Sequence, residues 1–252
     1  LLQSGAASWP VRIAAPDWNE IRENYPEQTR GPLAELMDGF RPAHGGQLLL
    51  WHGQPGTGKT FAIRALGSQW RRWCSMECIA DPEVFWGEAA YMMSVLMGEN
   101  DGGKCEAEES PVPCPGTWEP NNGEPGERWR LLILEDTGEL FRTDAKVHTG
   151  QSLSRLLNLA DGLIGQGLRI LLLMTTNEPL QEIHPAVSRP GRCAAEVEFV
   201  TFNPADAAAW LRGHGVEDGR VSESQALSDL YGRLYSFPGR HRRTPVGFGG
   251  RR

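Results

Sequence analysis

The sequence predicts an α/β fold built on a five-stranded parallel sheet with helices on both faces. Three observations predict it. The runs at 47–53, 130–136 and 169–177 are almost continuously apolar, as strands buried on both faces must be. They alternate with stretches of helical periodicity. The first run passes straight into GQPGTGKT, a glycine-rich turn that opens a helix.

The elements follow in order. Residues 1–16 read as a loose arm, and a helix completes an N-terminal segment of 1–40. Thr29 is its expected N-cap, Pro32 lies in its first turn, and Leu33, Leu36, Met37 and Phe40 share a face. QLLLWHG (47–53) is the first strand, and a helix runs from about Gly58 to Trp73. SMECIAD (75–81) is a second strand, beginning between Cys74 and Cys78, and 83–98 is expected as one helix carrying Met92, Met93, Leu96 and Met97. Residues 99–128 are rich in Gly, Pro, Glu and Asn and too long for an ordinary connection, so they are expected as a flexible insertion. RLLILED (130–136) is the third strand, QSLSRLLNLADGLI (151–164) a helix with Leu153, Leu156, Leu157 and Ala160 inward, RILLLMTTN (169–177) the fourth strand and AAEVEFV (194–200) the fifth. Residues 41–201 thus form the main domain. Within 202–252, helices near Pro204 and over 222–235 make a short or truncated helical lid before a basic tail.

The 252 residues carry a formal charge of -7, which disfavours nucleic acid as the main partner. Arg240, Arg242, Arg243, Arg251 and Arg252 read as a solvated tail. The five cysteines are odd in number and form no CxxC pair, so no disulfide framework or zinc site follows, and a reducing, cytoplasmic compartment is expected. No run is long enough to span a bilayer and no signal peptide is visible. The chain starts at Leu1 rather than Met, so a preceding segment is expected.

GQPGTGKT satisfies G-x-x-x-x-G-K-[ST] in full, between a strand and a helix. Gly53, Gly56 and Gly58 let the backbone curl until its N–H groups converge on phosphate oxygens. The helix N-terminus adds positive partial charge. Gln54, Pro55, Thr57 and Phe61 complete the expected binding segment. Lys59 is expected on the β- and γ-phosphates, with the Thr60 hydroxyl on Mg²⁺.

Such a loop requires acids at a neighbouring strand end, and LLILEDTGEL (131–140) supplies two, Glu135 and Asp136. Two registers are open. Glu135 is metal-side and Asp136 polarises water, or Asp136 is metal-side with Glu139 as base or with none. The first is preferred, because the apolar run ends immediately before Glu135 and adjacent strand residues face opposite ways. Asn177, at the tip of the fourth strand, can bond a γ-phosphate or the lytic water. In HPAVSRPGRC (184–193), Arg189 and Arg192 flank a rigid Pro-Gly and suit transition-state charge on a phosphate, especially in a neighbouring subunit.

Together these motifs resemble the classical AAA family of ATPases over roughly residues 40–200. GQPGTGKT resembles its Walker A, LLILED its Walker B, LLLMTTN its sensor-1 strand and HPAVSRPGRC its second region of homology. SLSRLLNLADGLIGQG resembles its LLNxLDG helix. The Glu-Asp order at Walker B is similar to that of the mitochondrial chaperone branch that translocates the Rieske protein and of ATP-binding members from actinomycetes. The resemblance implies a P-loop NTPase that binds and hydrolyses ATP with Mg²⁺, with Arg189 and Arg192 as arginine fingers acting in trans. It further implies a homo-oligomeric ring, commonly a hexamer, remodelling a protein client. Phe85-Trp86-Gly87 resembles an aromatic pore loop that grips such a client, although aromatics at a helix start are usually core. A nucleotide-dependent switch or scaffold with little turnover is the alternative, motivated by the swapped acids, the short lid and the insertion. A small-molecule kinase would have no use for the RPGR turn.

Overall fold

The computed structural model describes residues 13–42, 48–98, 128–137, 169–178, 193–216 and 220–236. The expected insertion up to Glu127, the 151–164 helix, Glu139, Arg189, Arg192 and the basic tail lie outside them. Strands β1 (Leu48–Gly53), β2 (Cys74–Cys78), β3 (Trp129–Leu134), β4 (Ile170–Thr176) and β5 (Cys193–Phe199) form one sheet in the order β2-β3-β4-β1-β5. Every neighbouring pair is parallel. The expected strands are present, the first ending at Gly53 as expected and the other ends shifted by one to three residues. β2 begins at Cys74 rather than after it, so Cys74 and Cys78 lie on the same strand.

Strand alternation builds two cores. Leu48, Leu50, Leu132, Leu134, Leu172 and Met174 face one side, where α4 (Pro82–Gly87) and α5 (Ala89–Met97) cover them. Leu49, Trp51, Leu131, Ile133, Leu171 and Leu173 face the other. There they meet α1 (Trp18–Ile21), α2 (Glu27–Ala34) and α3 (Lys59–Trp70). The helices therefore cover both faces, as the unbroken apolar runs require. A third, smaller core joins α6 (Pro204–Gly213) to α7 (Leu227–Ser236) around Phe202, Trp210, Leu211 and Leu230.

Two expectations are corrected. Thr29 is not an N-cap, because α2 starts two residues earlier, after Pro26, and Pro32 sits well inside the helix. Thr29 Oγ1 instead donates to the Glu198 carbonyl of edge strand β5 (2.7 Å) and accepts from the Val200 N–H just beyond it (3.1 Å). The single helix over 83–98 is two helices. Asp81 caps the first through the Val84 N–H (3.0 Å), and the chain turns extended at Glu88, just after Gly87, a poor helix former. Of the two readings of Phe85-Trp86-Gly87, the structure agrees with the core one expected of aromatics at a helix start: Phe85 and Trp86 are buried among Leu48, Leu134 and Met174. Of the expected loose arm, the described residues 13–16 are tied at Ala14, whose carbonyl accepts from Arg64 Nε (2.7 Å).

Arg130 fixes α5 to the sheet. Its guanidinium pairs with both Glu77 oxygens (2.7 Å each) and donates to the last helical carbonyls of Val95 (2.7 Å) and Leu96 (3.0 Å). One side chain thereby neutralises Glu77 on β2 and terminates a helix.

Core burial of Phe85 sets a stability prediction. Phe85→Ala lowers the unfolding free energy by about 3–4 kcal/mol through lost burial and a cavity, read from urea melts. A loss below ~1 kcal/mol would mean that the ring is solvent-facing.

Candidate functional site

The carboxyl ends of β1, β4 and β3 lie side by side, and the chemically capable residues of the sequence emerge there. In register, Leu50 is level with Met174 and Met174 with Leu134, so the residues just beyond each strand share one rim. Brought together are the loop 53–60, Asn177, Glu135 and Asp136.

The loop leaves β1 at Gly53 and enters α3 at Lys59. It turns through positive φ at Gly53 (139°), Gly56 (78°) and Gly58 (97°). Gly58 is the residue before α3 and has no side chain to cap the first-turn amides, whereas Asp81 and Asn203 cap α4 and α6. The α3 N-terminus thus keeps donors available to an anion. Thr57 is buried and spends its hydroxyl inside the loop, donating to Gln54 O (2.7 Å). Gln54, Pro55 and Gly56 are exposed, while Phe61 packs partly into the core under the Arg64 guanidinium.

Lys59 Nζ folds over the loop and donates to Gly53 O (2.7 Å), Gln54 O (3.1 Å) and Asn177 Oδ1 (2.8 Å). Asn177 passes the chain on, its Nδ2 donating to Asp136 Oδ1 (2.6 Å). Thr60 Oγ1 donates to Glu135 Oε2 (2.7 Å). The two acids therefore have different neighbours, Glu135 beside the Thr60 hydroxyl and Asp136 beside the Asn177 amide. They do not continue the strand as expected. β3 stops at Leu134, and Asp136 adopts a left-handed φ of 54°. Thr175 holds this turn, accepting from the Asp136 N–H (3.0 Å) at its hydroxyl and from the Thr137 N–H (3.0 Å) at its carbonyl. Arg189 and Arg192 lie outside the described residues.

Residues not singled out from the sequence also build the site. Thr175 sets the Asp136 turn. Tyr25 Oη donates to Gly58 O (3.1 Å), and the Ser228 N–H at the start of α7 donates to Gly56 O (2.9 Å). Thr175 stood within a motif already noticed, whereas Tyr25 and Ser228 carry no local signal. Among the described residues no group of three or more His, Cys, Asp or Glu could hold a metal by itself. No helix among them is long and apolar enough to cross a membrane.

Burial lowers the Lys59 pKa to about 8, against the opposing pull of Asp136 and then Glu135. A folded value below the unfolded one means that folding disfavours the charged amine. The unfolded chain binds more protons between the two values, so this penalty shrinks as pH rises through that window. Urea melts from pH 7 to 10 are expected to show a stabilising slope above pH 8 that Lys59→Met removes. An identical slope in the variant would assign it to other groups.

No known protein-family profile matches the chain. It is 29% identical over 187 residues to the protein named Protein SAV from Sulfolobus acidocaldarius. That match covers 71% of this chain and 20% of that protein, so the chain spans a small part of the relative it resembles.

Proposed function

We propose that this chain is a P-loop ATPase of the AAA kind, with residues 53–60 as its phosphate loop and α6–α7 as its lid. The observation that carries this reading is the continuous bonding of Lys59, Asn177 and Asp136 across three strand ends, with Thr60 on Glu135 beside it. A phosphate-transfer site requires a cation, a sensing amide, a metal-side oxygen pair and a base within one rim.

The residues fit the substrate and metal. The cradle amides and Lys59 would bind the phosphates. The Thr60 hydroxyl and Glu135 are two hard oxygens of the kind that Mg²⁺ accepts when phosphate and water fill its other positions. Bound there, Mg²⁺ supplies charge neutralisation on the phosphates. Asp136 would take the proton of an attacking water, which Asn177 would orient. The new oxygen–phosphorus bond forms at the γ-phosphate as the bond to the β-phosphate oxygen breaks, leaving ADP and phosphate. Asp136 rather than Glu135 is assigned the base, because the Thr60 hydroxyl already engages Glu135. Arg189 and Arg192 are proposed to complete the site of a neighbouring copy in a homo-oligomeric ring, with a protein client remodelled by turnover.

Mg²⁺-dependent phosphate release, followed against protein concentration, tests this. Specific activity is expected to rise with concentration, and Lys59→Ala and Arg192→Ala are expected to lose nearly all of it. Asp136→Asn is expected to retain ATP while turnover falls at least ~100-fold, as loss of a general base does. ATP binding without phosphate release at any concentration would instead make the chain a nucleotide-dependent switch.

A further inference from the structure

Among the described residues, two groups that belong to neither β1 nor α3 hold carbonyl oxygens of the loop from outside. Tyr25 reaches it from the segment between α1 and α2 through its bond to Gly58 O (3.1 Å). Ser228 reaches it from α7 through its N–H bond to Gly56 O (2.9 Å). Both held atoms are carbonyl oxygens, at alternate peptides of the loop. A trans peptide is planar, with C=O and N–H pointing opposite ways. Holding the Gly58 oxygen therefore also sets the direction of the Lys59 N–H, and holding the Gly56 oxygen sets that of the Thr57 N–H.

We propose that Tyr25 is a positioning residue of the anion cradle, paired with the Ser228 amide, and that these two anchors turn the Lys59 and Thr57 N–H groups toward bound phosphate. This rests on the reading of 53–60 as a phosphate loop. Tyr25 is built for the role. Its ring is buried, stacked with Trp18 (centroids 5.9 Å apart) and edge-on to Phe199 (5.9 Å). The hydroxyl cannot swing away without displacing both. Burial, and then Tyr231, push the phenol above its ordinary range, so it remains a donor at all working pH values. The Gly58 oxygen also accepts the first helical bond of α3, from Ala62 N (3.0 Å), so the anchor and the helix start share one atom. The Tyr25 neighbourhood reaches α6 as well, because the adjacent Asn24 side chain accepts from Trp210 Nε1 (3.1 Å).

Tyr25→Phe removes the hydroxyl and retains the ring. Wild type and variant are titrated calorimetrically with Mg²⁺–ATP and with Mg²⁺–tripolyphosphate, which has the phosphates and no nucleoside. The proposal expects both affinities to fall by the same factor, about five- to tenfold, as for one lost hydrogen bond to an oriented group. Near-UV circular dichroism should remain unchanged. Unchanged affinity for both ligands overturns it. Loss for ATP with tripolyphosphate unaffected also overturns it, by placing the effect at the nucleoside. Wild-type protein that binds neither ligand overturns the phosphate-loop reading itself, and this inference with it.

Discussion

Everything near the site depends on how the chain turns from the middle of a sheet into a helix between Gly53 and Lys59. That turn works because three of its residues lack a Cβ. A Cβ on Gly53 would lie 2.2 Å from Phe199 O, one on Gly56 2.3 Å from Ser228 Oγ, and one on Gly58 2.8 Å from Leu227 Cδ2. Each glycine thus serves a positive φ and also a close approach by another element. β5, α7 and the Tyr25 segment close on the loop at its three glycines, where no side chain projects. The small core of α6 and α7 is thereby brought against the sheet domain at the point where chemistry is proposed.

The second constraint is the turn after β3. A left-handed Asp136 costs about 1 kcal/mol relative to an ordinary conformation. Bonds from two successive N–H groups to Thr175 offset it. The turn leaves two adjacent carboxylates with different partners. One meets a hydroxyl and the other an amide, which gives chemically equivalent side chains different tasks. Lys59 is the corresponding cation. Its amine is enclosed by three oxygen acceptors, and the nearby acids only partly offset the cost of burying its charge.

Much of this was legible in the sequence, and the reason differs by element. The sheet was legible because strands buried on both faces must be apolar at every position, and QLLLWHG, RLLIL and ILLLM leave no alternative. The loop was legible because its glycines, lysine and threonine are fixed by spacing. Asn177 and the two acids were legible as strand-end residues, but the bond between Asn177 and Asp136 was not, because it depends on the order of the strands in the sheet. Single long-range contacts were not legible. Thr29 and Glu198 are 169 positions apart, and Tyr25 and Gly58 are 33 apart, so no periodicity links them. Thr29 looked like a helix start because a threonine before an apolar stripe usually is one. Here the edge of the sheet had a stronger claim on its hydroxyl. Phe85 and Trp86 lay on the boundary between a surface grip and a core plug, and sheet packing decided for the core.

The position of Thr29 bears on where this protein can and cannot associate. β5 is the outer strand beside β1, and an outer strand offers N–H and C=O groups to any extended chain that drifts alongside. Thr29 occupies such a pair, Glu198 O and Val200 N, with one oxygen that both gives and takes. It imitates a single rung of a neighbouring strand. α2 therefore acts as a stopper on the sheet: a sixth strand from a neighbouring molecule, native or misfolded, would have to unseat a helix before it could pair there. A second copy that paired along the carboxyl end of β5 would therefore compete with α2 for Glu198 O and Val200 N.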